Sequence, residues 1–249
     1  MKILLVNPNT SEFITERMVL AARAAIGEAG WVVGVTADHG PAVVGSRAEN
    51  ALAAVTAMEL AARHAGGCDA VLLGISTDAG LAPLRELLDI PVVGLLEAAL
   101  LTASQLGGRI GLLTLGARMV PLYQEQATGM GLGARVVGWA GVELPVAFQP
   151  SADLRPVPDV VRAVIENGAR LVTHFDLDVL VLSGAVLAGY REAVQAGLSV
   201  PVVDGIEAAA WQAVALGAQK YRGPRVGSYA TAQGRRVTGV PDDLARLMR

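Results

Sequence analysis

The stretch Ile75-Ser76-Thr77-Asp78 brings two hydroxyls and a carboxylate together directly after the apolar run Ala70 to Gly74. In an open parallel sheet that place is the carboxyl edge of a strand, where short polar side chains and backbone N–H groups face a ligand. A carboxylate there can act as a general acid or base, and a serine can position a substrate or act as a nucleophile. Asp78 and Ser76 are thus catalytic candidates, with Thr77 as a ligand donor beside them. A nucleophilic serine needs a base, and the sequence shows none paired with it. Asp78 has a second reading as a brace for its own loop. His39, after Asp38 in the loop that follows Trp31 to Thr36, is the third catalytic candidate. Neighbours on an extended chain point apart, so Asp38 and His39 are not expected to form a ready-made dyad, and a solvated loop is the alternative.

Ligand-binding candidates come from similar junctions. Asn7-Pro8-Asn9-Thr10-Ser11 follows the run Lys2 to Val6 and supplies more polar groups than a helix cap requires, which nominates Asn7 and Thr10. Ser46 closes the loop that runs on from His39. In the second half Thr114, Tyr123 and the segment Ser183-Gly184-Ala185 stand at corresponding edges. Hydroxyls at Ser76, Thr77 and Thr114, with N–H groups around Gly184 and Ala185, suit a carboxylate or imide oxygen.

The elements that must position these groups are declared by a repeat. CDAVLLGISTDAGL from Cys68 and DIPVVGLLEAA from Asp89 recur as LDVLVLSGAVLAGY from Leu177 and SVPVVDGIEAA from Ser199. Asp69 matches Asp178, Ile75 matches Gly184, Gly80 matches Gly189 and, after one inserted residue, Glu97 matches Glu207. Self-similarity on this scale predicts an α/β fold of two pseudo-symmetric lobes, each with a parallel, Rossmann-like core, and a site in the cleft between them. Residues 1–97 with 208–249 are assigned to the first lobe and 98–207 to the second. A strand is expected at Arg135 to Val137, then a proline-rich connecting or lid-like loop from Trp139 to Pro158. The tail from Tyr221 is expected to pack on the outside or on a partner subunit.

Composition narrows the partners. Of 249 residues 53% are hydrophobic, enough for a large core, and 17% are charged with a net charge of -3. No strong positive field is present to hold nucleic acid or an anionic membrane, so a small-molecule substrate is expected. Apolar runs are short and broken by Gly, Pro and charge, which argues against a membrane span. Met1-Lys2 leads straight into ILLV without the pattern of a signal peptide, so a cytoplasmic protein is expected. One cysteine, Cys68, and three scattered histidines exclude a disulfide framework and show no metal-ligand spacing. Cys68 precedes its strand and reads as a buried structural thiol.

The opening ILLVNPNTS, the Gly40-Pro41 loop with Gly45-Ser46 after it, Asp78-Ala79-Gly80-Leu81, PVVGLLEAA and VPVVDGIEAA, taken in order, resemble the aspartate/glutamate/hydantoin racemase family, in its hydantoin and allantoin racemase branch. The resemblance covers the chain to about Tyr221. It implies two lobes around a cleft, no cofactor, a frequent homo-oligomer, and a substrate that is a small amino-acid derivative, hydantoin or dicarboxylate. It also implies a cysteine from each lobe, one on either side of the substrate's α-carbon, exchanging protons there. Those positions fall on Ile75 and Gly184 in this chain, and neither carries a proton. The resemblance therefore implies a cofactor-independent isomerase scaffold whose proton carriers have changed. Decarboxylation or hydrolysis in the same cleft is an alternative, since arylmalonate decarboxylase, a relative, works with one thiol and a set of hydrogen-bond donors. A binding protein without chemistry is the other.

Overall fold

The computed structural model describes residues 1–144, 150–230, 234 and 237–248. Lys2–Asn7 (β1), Trp31–Thr36 (β2), Ala70–Leu73 (β3) and Val92–Gly94 (β4) form one parallel sheet in the order β2-β1-β3-β4. Ile110–Leu115 (β5), Val136–Val142 (β6), Val179–Leu182 (β7) and Val202–Asp204 (β8) form a second in the order β6-β5-β7-β8. Strand order repeats between the sheets, as the duplicated sequence predicts. Register repeats as well: Ile3 to Val6 pair with Ala70 to Leu73, and Ile110 to Leu113 pair with Val179 to Leu182. The central strands read as unbroken apolar runs because both of their faces are covered. Matched aspartates pin matched strand starts. Asp69 accepts from the Lys2 N–H at 2.7 Å, and Asp178 from the N–H groups of Gly108 and Arg109 at 2.8 Å.

Helices Glu12–Ile26 (α1), Arg47–His64 (α2), Leu81–Leu87 (α3) and Leu95–Leu106 (α4) follow the strands of the first sheet. Val120–Gly129 (α5), Pro158–Phe175 (α6), Arg191–Gln195 (α7) and Gly205–Ala218 (α8) follow those of the second, and Asp242–Leu247 (α9) packs on α2. The helices α4 and α8 join the lobes by exchange: α4 leaves the first sheet and packs on β7 and β8, while α8 leaves the second and packs on β3 and β4. They also pack on each other through small residues, with Ala98, Ala99, Ala103, Ala209, Ala210 and Ala213 all buried. Small side chains allow close helix approach and dense packing. One apolar cluster consequently runs through both sheets, from Leu5 and Leu72 to Leu112 and Val181.

One expectation needs correction. The strand expected at Arg135 to Val137 is the start of β6, which continues to Val142 beside β5. Gly138 and Gly141 obscure it in the sequence. A Cβ at Gly141 would stand 2.4 Å from Ala117 backbone atoms, so the close approach of that turn requires glycine there. The connecting segment therefore begins after Val142. Residues 145–149 of the lid-like reading, and 231–233, 235–236 and 249 of the tail, lie outside the described residues.

Candidate functional site

The carboxyl edges of the two sheets face one cavity of about 290 Å³. The same backbone turn delivers each lobe's edge loop. Past β3 the Gly74 N–H donates to the Val6 carbonyl at 2.7 Å, and past β7 the Ser183 N–H donates to the Leu113 carbonyl at 2.8 Å. The next residue in each case, Ile75 or Gly184, lines the cavity from its own lobe. Gly184 has φ 143°, in the region that favours glycine, and a Cβ there would stand 3.5 Å from the Leu115 side chain. Space for a side chain exists at this position; the backbone conformation opposes it.

Around these two positions the predicted residues Ser76, Thr77, Thr114, Tyr123 and Ala185 also line the cavity. Ser76 Oγ lies 2.6 Å from Tyr123 Oη, a hydrogen bond between lobes in which either hydroxyl can donate. Tyr123 is 2% exposed, so burial of its ring fixes where its hydroxyl stands. The Thr77 hydroxyl is committed to Asn50 Oδ1 at 2.5 Å. Ser183 faces a smaller adjoining pocket with Ser76 and Asp204.

Several candidates lie elsewhere. Asn7 is fully buried and organises its turn. Its amide donates to Thr15 Oγ1, Asn9 Oδ1 and the Ser11 carbonyl, and its own oxygen accepts from the Asn9 N–H. It does not line the cavity; Asn9 does. Thr10 uses its N–H on the Pro41 carbonyl. Ser46 caps α2, accepting from the Glu49 N–H and donating to Glu49 Oε2 at 2.9 Å, a reciprocal capping pair rather than a ligand contact.

His39 does pair with Asp38, Nδ1 to Oδ1 at 2.6 Å, because a turn closed by Gly40 brings the neighbours together where an extended chain would not. Its Nε2 lies 3.1 Å from Glu59 Oε2, within ion-pair range though not aligned as a hydrogen bond. The imidazole is 56% exposed and stands outside the cavity lining.

Asp78 also turns away from the cavity. Its backbone adopts φ 53°, and its carboxylate accepts from the N–H groups of Leu96 and Glu97 at 3.0 and 2.8 Å, at the N-terminus of α4. Gly94 makes the room, since a Cβ there would stand 2.5 Å from the Asp78 carboxyl. Asp204 does the same for α8 from its own N-cap position, accepting from Ile206 and Glu207. Each lobe thus seats a buried carboxylate on one of the two shared helices, and each helix carries a salt-bridged glutamate in its first turn, Glu97 with Arg85 and Glu207 with Arg191. Burial pushes the Asp78 carboxyl up to about 7, against its backbone hydrogen bonds, and Asp204 up to about 6.

Sequence reasoning missed the apolar wall: Phe13, Ile14, Val43, Val44, Leu115, Met119 and Val186. None of the described lining residues is charged. Among the described residues no group of His, Cys, Asp or Glu is arranged to hold a metal ion, and no helix is long and apolar enough to cross a membrane. Cys68 is buried at the start of β3, the end opposite the cavity, and burial raises its thiol pKa.

Two matched parallel-sheet lobes with a cavity between their carboxyl edges define a two-lobed α/β enzyme. The sequence profile described as Asp/Glu/Hydantoin racemase matches residues 3–213, and the chain belongs to that family of isomerases. It is 29% identical over 238 residues to a hydantoin racemase of Paenarthrobacter aurescens, covering 92% of this chain and 96% of that protein. It superposes on a crystal structure of allantoin racemase from Pseudomonas fluorescens with TM-score 0.87 and 30% identity, covering 96% of this chain and 100% of the other. Arylmalonate decarboxylase shares the fold at TM-score 0.56 and 18% identity, over 87% of this chain and 92% of that one.

Proposed function

We propose that the cavity takes a small uncharged cyclic amide of the hydantoin type and promotes proton exchange at the carbon beside its carbonyl group. The observation that carries this reading is the Ser76–Tyr123 hydroxyl pair, set next to Ile75 in a cavity whose described lining has no charged side chain. A neutral ring needs only hydrogen bonds and apolar contact there, whereas each carboxylate of a dicarboxylate has to be stabilised by several of the same few donors. As the α-proton leaves, negative charge develops on the carbonyl oxygen. In the Ser76–Tyr123 bond one hydroxyl donates and the other accepts, and the accepting hydroxyl, held in place by that bond, keeps its own proton free to donate to that oxygen.

In this reading a water molecule carries the proton, since neither Ile75 nor Gly184 can. Ile75 covers one face of the ring with hydrocarbon, and Gly184 leaves the other open to water. Exchange therefore runs on the Gly184 face, and inversion follows only when the deprotonated ring turns over before water returns a proton to it. The same asymmetry favours a second reading: loss of carbon dioxide from an activated acid, then protonation of the resulting enolate on one face.

Incubating one enantiomer of a 5-substituted hydantoin with the protein in deuterated water tests the first reading. Deuterium at C5 with the ring intact is expected. Thermal-shift binding of the hydantoin without exchange would overturn it, and release of carbon dioxide from a malonate-type acid alone would establish the second reading in its place.

A further inference from the structure

Arg17 is a buried charged residue that the cavity chemistry does not use. It lies on the buried stripe of α1 with Ile14, Met18 and Ala21, and is 3% exposed. The acceptors of its guanidinium are three main-chain carbonyls, all from the second half of the chain. Its Nη1 donates to Ser151 at 3.1 Å and to Asp153, and its Nη2 to Ala188 at 2.7 Å. Its Nε is buried without a partner. The guanidinium lies over the Tyr190 ring, 5.2 Å from the centroid, and Tyr190 Oη accepts from the Val157 N–H at 3.2 Å.

A buried cation without a directly bonded carboxylate among the described residues is costly to hold, and three oriented carbonyls, an aromatic face and the nearby charges of Asp153 and Asp204 together offset its desolvation. What that arrangement secures is a pair of cavity walls. Ser151 and Asp153 follow Pro150, and Ala188 follows the segment Gly184 to Val186; Pro150, Gly184, Ala185 and Val186 all line the cavity. A planar fork with donors at both tips spans loops that a single ammonium could not reach together.

We propose that Arg17 is a positioning residue: a guanidinium from the first lobe that clamps two second-lobe loops by their carbonyls, fixing the cavity wall opposite Ile75. The clamp is independent of the reaction proposed above; only the ligand arm of its test rests on that reading.

Hydrogen exchange of the full-length chain, read by mass spectrometry on Arg17→Met, Arg17→Lys and wild type, tests the clamp. In Arg17→Met, amides of residues 150–157 and 184–190 are expected to exchange about tenfold faster or more, while both sheets keep wild-type protection. Arg17→Lys is expected to fall between, because one ammonium serves fewer of the carbonyls. Unchanged exchange in those segments, or a uniform rise across both sheets, would overturn the proposal. Should Arg17→Met not fold, Arg17→Lys decides: faster exchange confined to those two segments is the expected result, and unchanged exchange there overturns the clamp. In the ligand arm the thermal shift given by a 5-substituted hydantoin should shrink in Arg17→Met. Absence of any shift in wild type would count against the proposed substrate class, and the exchange arm would still decide the clamp.

Discussion

Asp78 predicts an unusual dependence of stability on pH. Its carboxyl is buried, and burial raises it from an ordinary value of 3.8 to about 7 in the folded protein. The folded chain therefore keeps a proton that the unfolded chain releases. Stability from this group is fully present below pH 3.8 and is lost as pH rises through about 7. A shift of about three pH units corresponds to about 4 kcal/mol over that window, at about 1.4 kcal/mol per unit. Asp204, raised from 3.8 to about 6, adds a loss of about 3 kcal/mol on the same side. Urea unfolding midpoints at pH 4.5, 5.5, 6.5 and 7.5, for wild type and Asp78→Asn, measure the effect. Wild type should lose stability steadily across the series. Asp78→Asn cannot titrate there, so its curve should be flatter by the Asp78 share. It should also be less stable at pH 4.5, because an amide NH2 would replace one of the oxygens that accept from Leu96 and Glu97. Parallel curves for the two proteins would refute the assignment.

The remaining expectations concern the cavity and the thiol. Ile75→Cys should cost about 1–2 kcal/mol through lost apolar burial, and Gly184→Cys about 1–3 kcal/mol because φ is 143° there, as read by denaturant unfolding. The double variant should gain proton transfer at both faces of a bound hydantoin, seen as faster loss of optical rotation. Cys68→Ala should leave exchange activity unchanged, and alkylating reagents should not inhibit wild type, since the thiol lies at the far end of β3.

Much of the fold was legible because the duplicated stretch states two matched parallel-sheet lobes and their edge loops. Asp69 and Asp178, aligned in sequence with no role read for them, hold the starts of matched strands. Matching Ile75 with Gly184 placed two residues that line one cavity. Orientation was less legible. Asp78 looked like a cleft carboxylate, but its left-handed backbone and the missing Cβ of Gly94 turn it onto α4. Asn7 and Ser46 were polar residues at the right edges, yet the turn's own side chains and a helix cap consume them, and Thr10 stands outside the cavity lining. The apolar wall was hidden because Phe13, Val43 and Met119 carry no chemical signature. Arg17 had a signal that went unread: a charge at the spacing of Ile14, Met18 and Ala21 sits on a buried helix face and must have partners there.

In the proposed mechanism the site is one-faced, with a hydroxyl donor from the Ser76–Tyr123 pair, hydrocarbon at Ile75 and open space at Gly184. The most direct measurement is the ratio of deuterium incorporation at C5 to loss of optical rotation, followed on one sample of an enantiopure 5-substituted hydantoin in deuterated water. Deuterium entering several times faster than rotation is lost, with both rates reduced in Ser76→Ala, is the predicted result. Exchange obligatorily coupled to inversion, or rates indifferent to Ser76→Ala, would contradict it.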